Sequence, residues 1–266
     1  MKFDLEKYED ALNHLVQRKE LSEDSSRTYL SCLNVLHKNC GECDLEKLSE
    51  FLIENINSRN QFMKYVSAIR KYEQLVLKQE KGILYGNPEI ELFNHFKENN
   101  VLKSKVPNLP EDKILRKING LKNEKLKYAL RLQLKSGLRV SEIADLDKND
   151  FEFENGKIKV YVRHGKGNKA RKVNVIEDDY LYCRLQRYID ECTEDKLFYT
   201  KDSLRKRAAK YGIETHDLRR HNARERMKIE MNRGNTRKKA KKIVQRELGH
   251  ETTRTTDIYV GERSEK

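Results

Sequence analysis

Four separated stretches in the second half of the sequence carry side chains that could act together on a phosphodiester. Guanidinium groups match phosphate oxygens in geometry and stay charged. A tyrosine can act as a nucleophile, although its pKa of about 10 requires positive charge and a proton acceptor nearby. Taken alone, a tyrosine near a terminus is usually a packed aromatic. The candidate residues are Arg139, Lys166, His216, Arg219, His250 and Tyr259.

The order and spacing of these residues are more specific than any one of them. They lie in Gly-Leu-Arg (137–139), Gly-Lys-Gly (165–167), His-x-x-Arg (216–219) and Leu-Gly-His (248–250), with a tyrosine nine positions after the last histidine. In this order the sequence closely resembles the tyrosine recombinases, the integrase and Xer-type family of site-specific DNA recombinases, over about 160 residues. Each motif is common by chance, whereas all of them in family order are not.

The resemblance implies a strand-cleavage reaction that needs no metal, ATP or other cofactor. Tyr259 would attack the scissile phosphate and form a 3′-phosphotyrosyl bond, which conserves the phosphodiester energy for rejoining. Arg139 and Arg219 would bind the two non-bridging oxygens and stabilise the transition state electrostatically.

Proton transfer is assigned to three further residues by the same resemblance. Lys166, in a predicted hairpin turn, would protonate the leaving 5′ oxygen, and Lys169 or Lys172 is the alternative. His216 would assist proton transfer from Tyr259, and His250 would donate a hydrogen bond to a phosphate oxygen.

Other interpretations of these residues stay open from the sequence. Arg139 could be a surface arginine paired with Glu142, although we expect Glu142 to have a structural role in orienting it. His216 could be an ordinary residue at a helix N-terminus. Arg220 and His221 are interpreted as non-catalytic.

The elements predicted to hold these residues are mainly helical, with a small antiparallel β-sheet. Apolar and charged residues alternate in 157–163 and again in 170–175, and a glycine-rich turn lies between them, which predicts a β-hairpin. Helical periodicity marks the rest. The predicted helices span 111–120, 123–136 (ended by Gly137), 140–146, 178–193, 201–211, 216–232 and 236–248.

The first hundred residues predict a separate helical bundle. Apolar residues recur at helical spacing from Asp4 to Leu15, Ser22 and Asp44 are expected to cap the second and third helices, Ser58 begins a fourth, and Asn87-Pro88 opens a short fifth. Residues 101–110 hold two of the three prolines and form the predicted linker. The resemblance implies a core-binding (SAM-like) DNA-binding domain at 1–100 and a tyrosine recombinase catalytic domain at 111–266.

The distribution of charge predicts a polyanionic partner. The net charge is +13. Residues 1–100 carry 14 Lys and Arg against 17 Asp and Glu, whereas 101–266 carry 42 against 26. A one-sided excess of this kind indicates nucleic acid, and the acidic first hundred residues require any DNA-facing surface there to be one local face.

Composition also excludes several classes of protein. No run of about 18 apolar residues exists, so we expect no membrane span, and the charged start lacks a secretory signal. The five cysteines are an odd number, which favours reduced thiols. Cys40 and Cys43, with His37, resemble half of a zinc site, but a second pair is missing and we expect no metal. A cytoplasmic, nucleoid-associated protein is expected.

The sequence therefore predicts a site-specific recombinase or integrase that acts as a homotetramer on specific core sites in double-stranded DNA. A type IB topoisomerase-like enzyme, a telomere resolvase and an inactive DNA-binding regulator are the alternatives. Two departures from the family stand out. Arg219 and His250 lie 31 positions apart, and we interpret the excess at 231–243 as a DNA-backbone contact rather than a lengthened, solvated helix. Only seven residues follow Tyr259, so the mode of docking between protomers stays open.

Overall fold

The chain folds into two compact units. The structure is a computed structural model that describes residues 2–41, 45–56, 58–79, 110–165, 169–194, 196–249 and 253–260. The units are Met1–Lys103 and Ser104–Lys266. Apart from Pro110, the predicted linker lies outside the described residues. Within these ranges, no helix combines the length and the apolar character needed to cross a membrane.

The described part of the N-terminal unit is a helical bundle. Ser22 and Ser58 accept hydrogen bonds from the backbone N–H three residues later, as expected of helix caps. The buried Tyr8 donates its hydroxyl to the carbonyl of Ala68 at 3.0 Å and so ties the first helix to the last. The predicted cap Asp44 and the predicted fifth helix lie outside the described residues. The helices are α1 (Leu5–Gln17), α2 (Glu23–Cys40), α3 (Leu45–Asn55) and α4 (Arg59–Tyr72), which continues as a π-helical turn, Glu73–Leu77.

The C-terminal unit is mainly helical around a small sheet, which confirms the predicted fold class. Its core is formed by α6 together with the helices and the sheet packed around it. The elements before and within the sheet are α5 (Glu111–Asn119), α6 (Glu124–Ser136), α7 (Val140–Asp145), a 3₁₀ turn (Lys148–Asp150), β1 (Phe151–Glu154), β2 (Lys157–Val162) and β3 (Arg171–Asn174). The later elements are α8 (Asp179–Glu191), α9 (Lys201–Lys210), α10 (Thr215–Asn232), α11 (Arg237–Leu248) and α12 (Thr253–Val260).

The sheet has one strand more than the sequence interpretation included. Its order is β1-β2-β3, with both pairs antiparallel. Strands β2 and β3 form the predicted hairpin, and Val160 lies opposite Val173 on the buried face. The additional β1 joins β2 through Asn155 and Gly156, whose φ angles of 49° and 75° match the Asn-Gly hairpin turn. That dipeptide was the available signal for β1.

Helices α10, α11 and α12 form a small second core that carries Tyr259. Helix α11 begins after the cap Thr236 and ends at Gly249, whose φ is 63°. The segment 231–243, interpreted above as a DNA contact, forms the end of α10, a turn at Gly234 and the start of α11. Helix α12 was not predicted. Tyr259 and Val260 pack against this core, whose buried residues are Ala223, Met227, Ala240, Val244 and Leu248.

Candidate active site

A tight turn between α6 and α7 places Arg139 at the start of α7. Gly137 ends α6 with a φ of 72°, a conformation that side chains disfavour. A Cβ at this position would collide with Asn222 Oδ1 and would lie 2.7 Å from Leu248 Cδ2. Gln133 holds the turn by donating its Nε2 to the carbonyl of Leu138 at 3.1 Å. Glycine is therefore required because α10 and α11 approach the turn closely.

Arg139 is oriented by hydrogen bonds at both ends of its guanidinium group. Its Nη1 donates to Glu142 Oε1 at 2.9 Å, and its Nη2 donates to the Gly249 carbonyl at 3.1 Å. The backbone N–H of Arg139 donates to Glu142 Oε2 at 2.8 Å. The contact with Glu142 expected from the sequence is thus present. The side chain stays 23% exposed, so its outer edge faces solvent.

Arg219, on α10, is buried with only 1% of its surface exposed. It donates Nη1 to the carbonyl of Gly137 and Nη2 to the carbonyl of Leu248, and so joins the ends of α6 and α11. Burial, followed by the positive charge of Arg139, lowers the pKa of Arg219 to about 10. Arg219 therefore stays charged at neutral pH. Its Nε has no hydrogen-bond partner among the described residues.

His216 and Tyr259 contact each other beside Arg219. The two atoms Tyr259 Oη and His216 Nδ1 are 3.2 Å apart, and Arg219 Cζ lies 5.8 Å from the centre of the tyrosine ring. Burial lowers the pKa of His216, and the charges of Arg220 and Arg219 lower it further. A neutral imidazole protonated on Nε2 can accept the phenolic proton at Nδ1. The pair is therefore arranged for transfer of a proton from Tyr259 to His216.

Helix α12 is fixed to the rest of the unit beside the tyrosine. Lys241 Nζ, on α11, lies 2.6 Å from Asp257 Oδ1, in an ion pair outside hydrogen-bond geometry. Arg224 donates Nε to the carbonyl of Tyr259 at 3.3 Å. These contacts hold the last helix from two neighbouring helices.

Not every predicted residue falls within the described part of the chain. The structure brings Arg139, His216, Arg219 and Tyr259 together, whereas Lys166 and His250 lie outside the described residues. Of the alternatives to Lys166, Lys172 forms an ion pair with β1, in which its Nζ lies 3.6 Å from Glu152 Oε2. Arg220, interpreted above as non-catalytic, donates to the carboxylate of Asp217.

Sequence reasoning missed three polar residues that support the site. Arg171 binds the carboxylate of Glu142. Asn222 and Arg226 lie on α10, one and two turns after Arg219. Asn222 is buried, donates to the Leu134 carbonyl at 3.0 Å and accepts from Arg226 Nε at 2.8 Å. Their helical spacing from Arg219 was the signal that could have identified them.

No group of histidine, cysteine, aspartate or glutamate suited to a metal ion occurs in the described residues. The described cysteines are free thiols: Cys32, Cys40, Cys183 and Cys192. The second cysteine of the pair singled out above, Cys43, falls outside the described residues.

Comparison with known proteins gives matches at three levels. The Phage integrase family model matches residues 108–266. The tyrosine recombinase XerS of Streptococcus sanguinis is 28% identical over 273 residues, covering 93% of this chain and 70% of the relative. XerS of Streptococcus pneumoniae gives the same identity and coverage.

Solved structures show the same fold. The Tn1549 transposon integrase, in complex with circular intermediate DNA, superposes with a TM-score of 0.66 at 17% identity, over 97% of this chain and 96% of that one. The XerH site-specific recombinase, bound to a palindromic difH substrate after cleavage, gives a TM-score of 0.59 at 21% identity, over 89% and 76%.

Proposed function

The chain belongs to the phage integrase family, and from that premise we propose how its own residues carry out the reaction. It is a tyrosine-type site-specific recombinase, an enzyme that cleaves and rejoins DNA. We assign the 3′-phosphotyrosyl bond to Tyr259. The observation that carries this assignment is the convergence of Arg139 from the start of α7, His216 and Arg219 from α10, and Tyr259 from α12.

Activation of the nucleophile begins with the contact between Tyr259 and His216. The phenolic oxygen attacks phosphorus, and its proton passes to Nδ1 of the neutral imidazole, 3.2 Å away. The charge of Arg219, beside the tyrosine ring, favours the phenolate that develops. His216 therefore acts as the proton acceptor in the cleavage step.

The two arginines form the electrostatic part of the site. Arg219 is fixed by two backbone carbonyls and has a buried Nε–H without a partner in the described residues. Arg139 has an exposed outer edge. A pair of this kind fits the non-bridging oxygens of a phosphate, and loss of one such preorganised donor costs roughly 10²–10³ in rate. Lys166 and His250 keep their proposed roles as general acid and phosphate ligand.

DNA is the partner of this enzyme, and the finer features of recognition are part of the proposal. The excess of Lys and Arg in 101–266 supplies the attraction to phosphate. We assign the N-terminal unit, Met1–Lys103, as the core-binding domain for specific sites. A tetramer on two duplexes, acting in the cytoplasm at the nucleoid, completes the proposal.

A nicked DNA duplex tests the assignment of the nucleophile. The purified chain first selects its binding site from a random duplex library, and that site is then synthesised with a nick beside the cleavage position, so that rejoining fails. We expect the wild type to accumulate a covalent adduct on a denaturing gel, with the modified peptide containing Tyr259.

Two variants control this experiment. Tyr259→Phe should bind the duplex but form no adduct, whereas Tyr161→Phe, which alters an exposed tyrosine on β2, should react like the wild type. If the wild type and Tyr259→Phe trap equally little DNA, the assignment fails. Relaxation of supercoiled plasmids that lack the selected site would instead indicate a topoisomerase.

A further inference from the structure

Arg171, on β3, forms a two-pronged ion pair with Glu142. Its Nη1 donates to Oε1 and its Nη2 donates to Oε2, each at 2.9 Å. The pair is largely buried, with 15% of the arginine side chain and 2% of the glutamate side chain exposed. The same carboxylate binds the backbone and the guanidinium of Arg139. Glu142 is thus held on one side by Arg171 and holds Arg139 on the other.

Arg171 also touches the two segments that lead to Lys166 and His250. A Cβ on Gly165 would lie 3.0 Å from Arg171 Nη1, and a Cβ on Gly249 would lie 3.0 Å from its Cζ. Its Nε donates to the carbonyl of Glu247 at 3.3 Å. The guanidinium group of Arg171 therefore lies against three segments next to expected catalytic residues: the start of α7, Gly165 and the end of α11.

We propose that Arg171 is a positioning residue, which fixes Glu142 and through it aims Arg139 at the scissile phosphate. This inference rests on the function proposed above. Arg139 holds the carboxylate by one backbone N–H and one guanidinium N–H. The fork from Arg171 on β3 adds one further donor to each oxygen and so leaves Glu142 a single orientation. Arg171 itself donates Nε, Nη1 and Nη2 to protein acceptors and is less exposed than Arg139, with 15% against 23% of the side chain, so we place its action at Glu142 and not on DNA.

Arg171→Lys removes the fork and keeps the charge, and the chain offers a matched control. Arg131 forms an equally buried two-pronged pair with Asp178, at 2.9 and 2.8 Å, away from the site. Arg131→Lys therefore loses the same type of interaction without touching Arg139. Both variants are compared with the wild type for thermal unfolding, affinity for the selected duplex and single-turnover cleavage of the nicked duplex at saturating protein.

We expect Arg171→Lys to bind DNA like the wild type but to cleave it about 10²-fold more slowly, the cost of a small misplacement of a catalytic group. Arg131→Lys should cleave at close to the wild-type rate. A duplex with a methylphosphonate at the cleavage position lacks the charge that Arg139 neutralises. On that duplex, Arg171→Lys and Arg139→Ala should both match the wild type.

Equal slowing by the two lysine variants would overturn the proposal, and so would a loss for Arg171→Lys that persists on the methylphosphonate. If Arg171→Lys does not fold, Glu142→Gln is measured in the same way and should show the same selective loss. A wild type that forms no adduct would refute the proposed function itself. The proposal for Arg171 is tested separately, by the ratio of the cleavage rates of Arg171→Lys and Arg131→Lys.

Discussion

Replacing Gly137 with alanine perturbs the turn on which Arg139 and Arg219, the two arginines we assign to the phosphate, both depend. The added Cβ would meet Asn222 Oδ1 and Leu248 Cδ2. Neither can move easily, because Leu248 is buried and Asn222 is held by hydrogen bonds to Leu134 and Arg226. The backbone of the turn must shift instead, and the Gly137 carbonyl that accepts from Arg219 shifts with it.

The size of the effect follows from two contributions. A φ of 72° costs a non-glycine residue about 1–2 kcal/mol. Overpacking of a rigid neighbourhood adds about 2 kcal/mol, within the usual range of such substitutions. In a unit of this size the second contribution alone lowers Tm by roughly 4–8 °C. A displaced Arg219 should also slow cleavage by about 10²-fold.

Gly156→Ala separates these contributions. Gly156 has a φ of 75° but no atom within 4 Å of an added Cβ, so its replacement adds only the backbone strain. Thermal unfolding and single-turnover cleavage of the nicked duplex are measured for both variants at a temperature where both are folded. Equal Tm values, or equal cleavage rates, would refute the argument that the close approach at Gly137 positions Arg219.

Two further outcomes are expected. Burial holds the pKa of His216 below its ordinary 6.5, so the single-turnover rate of the wild type should fall only below about pH 6.5. The pH profile of His216→Gln should lack that inflection. An inflection above pH 6.5 in the wild type would contradict the role of His216 as proton acceptor. The same shift means that His216 takes up its proton at a higher pH in the unfolded chain than in the folded chain. Acidification therefore favours the unfolded chain, and the free energy of unfolding falls. Asp257→Asn removes the largely buried ion pair to Lys241 and should cost about 1–3 kcal/mol of stability, between the values for exposed and fully buried pairs. It should also speed hydrogen exchange in α12 and slow adduct formation. Unchanged exchange in α12 would show that the ion pair does not hold the helix.

The fold was predictable wherever local signals agreed with tertiary packing. Apolar periodicity located α5 and α6, and Ser22 and Ser58 marked helix starts correctly. Helix α12 was missed because three of its first four residues, Thr253, Thr255 and Thr256, have low helix propensity. The helix forms there through its packing on α10 and α11.

The site was predictable as a set of residues but not as a network. The order of the motifs selected Arg139, His216, Arg219 and Tyr259, and the fold brings them together. The fork of Arg171 on Glu142 joins residues 29 positions apart, a pairing that local spacing cannot reveal. Buried polar groups of this kind are specified by tertiary contacts.

Among the described residues, the Arg219 guanidinium donates to two main-chain carbonyls, those of Gly137 and Leu248. A substitution can remove a side-chain acceptor, but it leaves the carbonyl of its residue in place. These two bonds therefore depend on the codon of Arg219 and on the glycine that shapes the turn at 137, but on no side-chain acceptor. Position 248 can vary among apolar residues that fill the same space, because each of them keeps the carbonyl that accepts from Arg219.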